Sequence, residues 1–318
     1  MAVNITRFHN VFLYQSHATV PELLQDMEVL GHLDARAEEQ LGAMKKGIWL
    51  TGVPGGVLIG LCWGLWASSA DGTTPLSGEE AQFANWALAV GLLLLGASLS
   101  LFIWRSRLRP RDLDNRRYDL ARVLLKRLHV DLAPDASVRL KLDLRQPDVQ
   151  DKRVKQELVG WWDTQFFVDP WFTLEGRLAD GTFLKIHMVE RLQKRERSKT
   201  SASGKTRTKT KTKGFARLEV SLRVKADRHP GLGALKAQAT AATRLPRRVE
   251  LERVRVAADR LSLRARLAQD WVAREGRALE KDDASRTATM MLLSLYQVLH
   301  YARRRGKWQA ARRQRRSV

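Results

Sequence analysis

Two runs of the chain, residues 48–67 and 83–104, contain no charged side chain. About 20 apolar residues at the helical rise are enough to cross the hydrocarbon core of a bilayer. The stretch between the runs, 68–82, carries Asp71, Gly72, Pro75 and Gly78, the residue types of a turn. Residues 48–104 are therefore expected to form a transmembrane helical hairpin. A buried helical pair in a soluble fold is the weaker alternative, because charge-free runs of this length are rare outside membranes.

The flanks orient this hairpin. Lys45 and Lys46 precede the first run, and Arg105, Arg107, Arg109 and Arg111 follow the second. The link holds Asp71, Glu79 and Glu80 and no base. Lys and Arg beside span ends stay on the cytoplasmic side, so both termini are expected there, in a membrane of the bacterial inner type. Tryptophans mark the same borders: Trp49 and Trp104 inside, and Trp63, Trp66 and Trp86 outside. Indole rings favour the headgroup level. No small-residue cleavage pattern precedes residue 48, so the first span is expected to act as its own insertion signal.

The first span repeats glycine every fourth residue, at Gly52, Gly56, Gly60 and Gly64. The second offers Ala87 and Gly91. Small residues on one face let helix backbones approach closely, in lipid as well as in water. Two contacts fit this face: the second span of the same chain, or a second copy in a homo-oligomer. Pro54 removes one helical hydrogen bond and is expected to bend the span. Cys62 is the sole cysteine, which rules out an internal disulfide and a thiolate metal site.

Charge divides the chain further. Residues 1–47 carry −2 and 48–104 carry −3, so +27 of the balance behind the net +22 falls on 105–318. A domain this basic calls for a polyanion: anionic lipid headgroups or nucleic acid. In the N-terminal segment 1–47, Thr19-Val20-Pro21-Glu22 reads as a capped helix start. Leu23, Met27, Leu30 and Leu41 then give that helix an apolar side. It suits packing on the cytoplasmic domain better than a short coiled-coil seam.

Beyond the hairpin, 112–129 has the spacing of an amphipathic helix. The period then becomes two. Val138, Leu140, Leu142 and Leu144 alternate with polar residues, as do Ala216, Leu218, Val220, Leu222 and Val224. Asp180-Gly181 separates two further alternating runs as a hairpin turn would. Residues 249–251 and 261–267 form another pair, and 284–304 reads as a closing helix. The expected fold is a membrane α-helical hairpin plus a cytoplasmic α+β domain, 105–305. Its mainly antiparallel sheet has six or seven strands flanked by helices. Residues 306–318 are expected to be a loose basic tail.

Two features of this domain point outward. Segment 191–213 holds ten Lys or Arg against the single acid Glu196. In its second half Lys205, Arg207, Lys209, Lys211 and Lys213 alternate with threonine, which puts the charges on one side if the chain is extended. The segment is read as a flexible basic arm, either a long loop or a hairpin tip. The second feature is aromatic: Trp161, Trp162, Phe166, Phe167, Trp171 and Phe172. These are separate in sequence from the basic run. Core packing is the favoured role, with docking of Trp161 and Trp162 at a membrane face as another.

Catalytic patterns are sparse. None of the seven histidines sits at metal-ligand spacing from another, and no glycine-rich phosphate loop or nucleophile elbow occurs in 105–318. His187 and Glu190 fall on opposite faces of one expected strand. Asp163 and Asp169 are read as turn or cap residues. No metal or cofactor is expected, and the reading leans away from an enzyme. The favoured function is a self-associating, two-span membrane protein whose basic domain binds a polyanion such as anionic lipid. The alternatives are a ligand-gated membrane effector, whose β-domain senses a small molecule or nucleic acid, and an enzyme acting on lipid headgroups.

Overall fold

A computed structural model describes residues 12–70, 78–108, 114–132, 136–201, 203–274 and 282–316. It divides into two compact units, Gly31–Leu113 and a second made of Met1–Leu30 with Asp114–Val318.

The first unit is helical. Helix α1, Val20–Ala70, joins the capped N-terminal helix and the first apolar run without a break, and α2, Gly78–Leu108, holds the second run. Both are long and apolar enough to cross a membrane, and only 11% of each apolar stretch is buried inside the protein. A helix at the core of a soluble fold would hide most of such a run. The two helix backbones come close at Gly55 and Gly91. A Cβ on Gly55 would stand 3.0 Å from the Gly91 carbonyl oxygen, and one on Gly91 would stand 2.9 Å from Ile59. Cys62 lies buried in the same contact and donates its thiol to the Ala84 carbonyl at 3.2 Å.

In the second unit, eight strands among the described residues form one antiparallel sheet. They are β1 Leu13–Ala18, β2 Val138–Asp143, β3 Arg153–Val159, β4 Trp162–Arg177, β5 Phe183–Thr200, β6 Thr206–Arg223, β7 Glu250–Val256 and β8 Arg260–Ala268. The order is β1-β2-β4-β5-β6-β8-β7, with β3 pairing β4 off this path. The expected six or seven strands omitted β1 and β3. In β1 the burial alternates but the residue types, Leu-Tyr-Gln-Ser-His-Ala, do not, and β3 exposes nearly all of its residues, so neither shows an apolar period of two in sequence.

One face of the sheet is the core. Leu140, Phe172, Ile186, Leu218 and Leu263 are at most 1% exposed there. Three helices supply the other half: α3 Asn115–Leu128, the short α4 Lys236–Ala242 and α5 Ala284–Arg316. Leu120, Leu124, Met291 and Leu295 are buried, and α5 lies along β6 and β8. The start of α1 belongs to this unit, with Leu23, Met27 and Leu30 buried and Tyr14 donating to Asp26 at 2.9 Å. Packing on the domain was thus the better reading of its apolar side. Thr19 and Glu22 form the expected cap: the Thr19 backbone N–H donates to Glu22 at 3.0 Å. The closing helix runs on through Arg316 instead of ending near 304. The basic stretch is rich in Arg, Ala and Gln, which favour helix, and no proline stops it.

Strand β4 changes partner midway. Leu142 and Phe172 pair in the β2 half, whereas Phe167 to Trp162 face β3. A bulge between Asp169 and Phe172 separates the halves. Beyond it, β5 and β6 run on together to Thr200 and Thr206, so 191–213 is a paired ribbon and not a long flexible loop.

Candidate functional site

Residues paired across neighbouring strands point to the same side of a sheet. Along β5 and β6 the pairs Arg195–Lys211, Arg197–Lys209 and Lys199–Arg207 therefore share one face, with Lys213 opposite Gln193. The reverse face carries Lys194–Thr212, Glu196–Thr210, Ser198–Thr208 and Thr200–Thr206. Its hydroxyls bond each other, Ser198 to Thr208 at 3.0 Å and Thr200 to Thr206 at 3.2 Å. The Lys/Thr alternation thus sorts cations onto one face and short hydroxyls onto the other. Lys205 lies just outside the strand, in the turn. Among the described residues, no carboxylate comes within ion-pair distance of Arg195, Arg197, Lys199, Arg207, Lys209, Lys211 or Lys213.

The fold also brings aromatics to this face, which their distance in sequence concealed. Lys211 Nζ lies 5.4 Å from the Trp162 ring centre, and the Arg197 guanidinium lies 5.9 Å from that of Trp161. Farther along the same side, Phe215 sits between Arg266 at 4.1 Å and Arg217 at 5.2 Å. The six aromatics do not act as one core cluster. Phe167, Trp171 and Phe172 are buried, Trp162 and Phe166 are half-buried, and Trp161 is 79% exposed. The bulge in β4 explains the split, because it shifts which side chains face the core. The turn from β3 to β4 ends in an apolar tip: Leu158 is 76% and Trp161 79% exposed. Gly160 closes that turn at φ +63°, a conformation that favours glycine.

The other expected site residues lie in the helical unit. Trp49, Trp63, Trp66, Trp86 and Trp104 are all strongly exposed. Gly91 takes part in the α1–α2 contact and Ala87 is buried. A Cβ on Gly52 would meet Ser98, whose hydroxyl donates to the Ile48 carbonyl at 3.2 Å. Gly56, Gly60 and Gly64 face open space. Of the four-residue glycine stripe, only Gly52 therefore touches α2. Gly55, next to Gly56 but off the stripe, makes the close backbone approach to Gly91.

A buried ionic cluster had no counterpart in the sequence reading. The Arg117 guanidinium reaches Asp169 at 2.8 Å and Glu190 at 2.5 Å, and it donates to the Asp143 carbonyl at 2.7 Å. Lys152 Nζ lies 2.9 Å from Asp169 and 3.2 Å from Asp143. Trp271 donates to Glu190 at 2.9 Å, and its ring stacks on Trp171 at 5.6 Å. Burial works against the Arg117 charge, but Glu190 and Asp169 outweigh it and raise its pKa. Burial pushes the Asp169 carboxyl up, against the pull of Arg117 and Lys152. Asp169 is therefore a buried partner in the sheet, not a turn or cap residue. Each charge in the cluster has an opposite charge beside it, so the cluster ties α3 to β4 and β5. His187 and Glu190 do fall on opposite sides of β5. Glu190 joins this cluster, and His187 lines a groove on the outer face.

Among the described residues, no group of three or more His, Cys, Asp or Glu is placed to hold a metal ion. In comparison with known proteins, the chain matches no family model, no curated protein and no solved structure.

Proposed function

We propose that this chain is a two-span membrane protein that lays its β5–β6 ribbon and the apolar β3–β4 tip on an anionic lipid surface. The carrying observation is the pairing of like charges: three successive cation pairs stand opposite one another, with no carboxylate within ion-pair distance among the described residues, next to Trp161 and Trp162. Like charges directly across strands cost stability. An anionic surface offsets that cost, at about 1 kcal/mol per Lys or Arg near the membrane. Trp161 and Leu158 supply what phosphate contacts alone do not need, an apolar end that enters the headgroup zone. The two apolar helices hold the domain close to lipid. Gly56, Gly60 and Gly64, open to the surroundings, offer a face for a second copy in the bilayer.

One observation favours a second reading. Aromatics set among cations on an open sheet face, as at Phe215 and Trp162, also suit stacked bases and a phosphate backbone. A single experiment separates the two. Full-length protein in phosphatidylcholine nanodiscs should capture added vesicles containing phosphatidylserine. Capture should fall with salt, and it should be lost when Lys205, Arg207, Lys209, Lys211 and Lys213 become Gln. Capture of labelled oligonucleotides but not vesicles would replace the lipid reading with the nucleic-acid one. Equal capture of vesicles by parent and five-fold variant would remove the ribbon from both.

A further inference from the structure

The opposite end of β5 and β6, with β4 and β8 beside them, carries a different arrangement. Register places Arg177 beside Phe183, Phe183 beside Arg223, and Arg223 beside Arg260. Four neighbouring strands thus present the row Arg-Phe-Arg-Arg on the outer face. Neighbouring strands lie about 4.8 Å apart, so the row spans about 14 Å. All four residues line a groove of about 730 Å³, together with His187, Ser221 and Ser262. Ligand clefts usually fall between about 300 and 1,000 Å³.

The charges in this groove are unbalanced. Glu175 and Glu219 are already engaged, with Lys185 at 2.8 Å and Arg264 at 2.6 Å. Among the described residues the one carboxylate within ion-pair distance of Arg223 is Asp259, at 3.5 Å with both side chains largely exposed. Among the described residues, Arg177 and Arg260 have no carboxylate within ion-pair distance. Two arginines directly opposite each other repel. Arginine forks match phosphate oxygens in geometry as well as charge. Phe183, 39% exposed and flanked by two of these arginines, is an aromatic face left open beside them.

We infer that this groove binds a small polyphosphorylated ligand of the nucleotide class, with the ring on Phe183 and the phosphates on Arg223 and Arg260. Ser221 and Ser262 supply hydroxyls for the polar groups between them. The neutral imidazole of His187, which burial keeps below its ordinary pKa, can donate or accept there. The site is independent of the ribbon, at the far end of β5 and β6.

The probes are ATP and inorganic tripolyphosphate, measured by equilibrium dialysis on the full-length chain in nonionic detergent. ATP should bind saturably, and Arg223→Gln with Arg260→Gln should weaken it at least tenfold. Phe183→Ala should weaken ATP and leave tripolyphosphate unchanged. The five-fold ribbon variant should bind ATP as the parent does, which separates failure here from failure at the ribbon. Thermal melts that match the parent show that the substituted side chains, all partly exposed, left the fold intact. Absent or unsaturable ATP binding overturns the site, as does binding indifferent to the arginine pair. Equal affinity for both probes with a silent Phe183→Ala overturns the nucleotide class.

Discussion

Arg117 and Asp169 meet at 2.8 Å with both side chains 1% exposed, 52 residues apart in sequence. A buried pair of this kind adds little against an apolar replacement, but breaking it strands a charge. Arg117→Met should therefore cost about 3–5 kcal/mol, the usual loss when one partner of a buried pair is removed. Adding Asp169→Asn and Glu190→Gln should recover part of that loss. Denaturant unfolding of the full-length chain gives the comparison. A single variant as stable as the parent would show that the cluster is already compensated elsewhere.

The two kinds of glycine in α1 should respond differently. Gly55→Leu drives a side chain into the Gly91 backbone and Leu94, so it should part α1 from α2 and lower the melting temperature. Gly60→Leu enters open space and should leave the monomer intact. If that face holds a second copy, native mass in mild detergent will shift to smaller species for Gly60→Leu alone. An unchanged mass would mean that the stripe is idle.

Acid should weaken the sheet unit in a defined window. Burial keeps the pKa of both His187 and His229 below the ordinary 6.5. The unfolded chain takes up these protons near pH 6.5 while the folded one resists, so the stability is present above pH 6.5 and is lost as pH falls through the folded values. Around His187 the facing charges are Lys185, Glu219 and Arg264; around His229 they are Arg303, Asp180 and Arg228. Melting curves between pH 7.5 and 5.5 should show the fall, and His187→Gln with His229→Gln should flatten it. A double variant that falls as steeply as the parent assigns the effect to other groups.

Orientation is open to a simple assay. The basic flanks at Lys45, Lys46, Arg105 and Arg107 and the acidic Glu79 and Glu80 predict that a reporter active only outside the cytoplasm works when inserted in the link 68–82. The same reporter should be silent after Val318. The reverse pattern would place the ribbon on the wrong side for cytoplasmic anionic lipid.

What the sequence made legible is what local rules govern. The apolar runs, the cap at Thr19 and Glu22, and the strands holding Leu140 and Leu218 each follow from spacing alone. β1 and β3 were missed because polar Ser16 and the small Ala18 fill half-buried positions of one and the other is exposed nearly throughout, so neither shows apolar alternation. The ionic cluster was missed because Arg117, Asp143, Lys152, Asp169 and Glu190 come from different elements, and no spacing rule joins them. The ribbon was half legible: alternation foretold its charged side, but only pairing placed Trp162 beside Lys211. The bulge between Asp169 and Phe172 hid the fate of the aromatics, since one extra residue reverses every later side chain.

That bulge has a mechanical consequence. β4 exchanges one neighbour for another there, yet β5 and β6 pass the same point without interruption, hydrogen-bonded over their full 18 residues. At about 3.3 Å per residue each is a beam of roughly 60 Å. A pull at the ribbon end, where Thr200 and Thr206 pair, would draw both strands together and load their ladders to β4 and β8 along the strands, where many bonds must yield together. Lys209 and Leu218 lie on one unbroken strand and Met188 pairs with Leu218, so a load at the ribbon would reach the core through backbone that no loop interrupts.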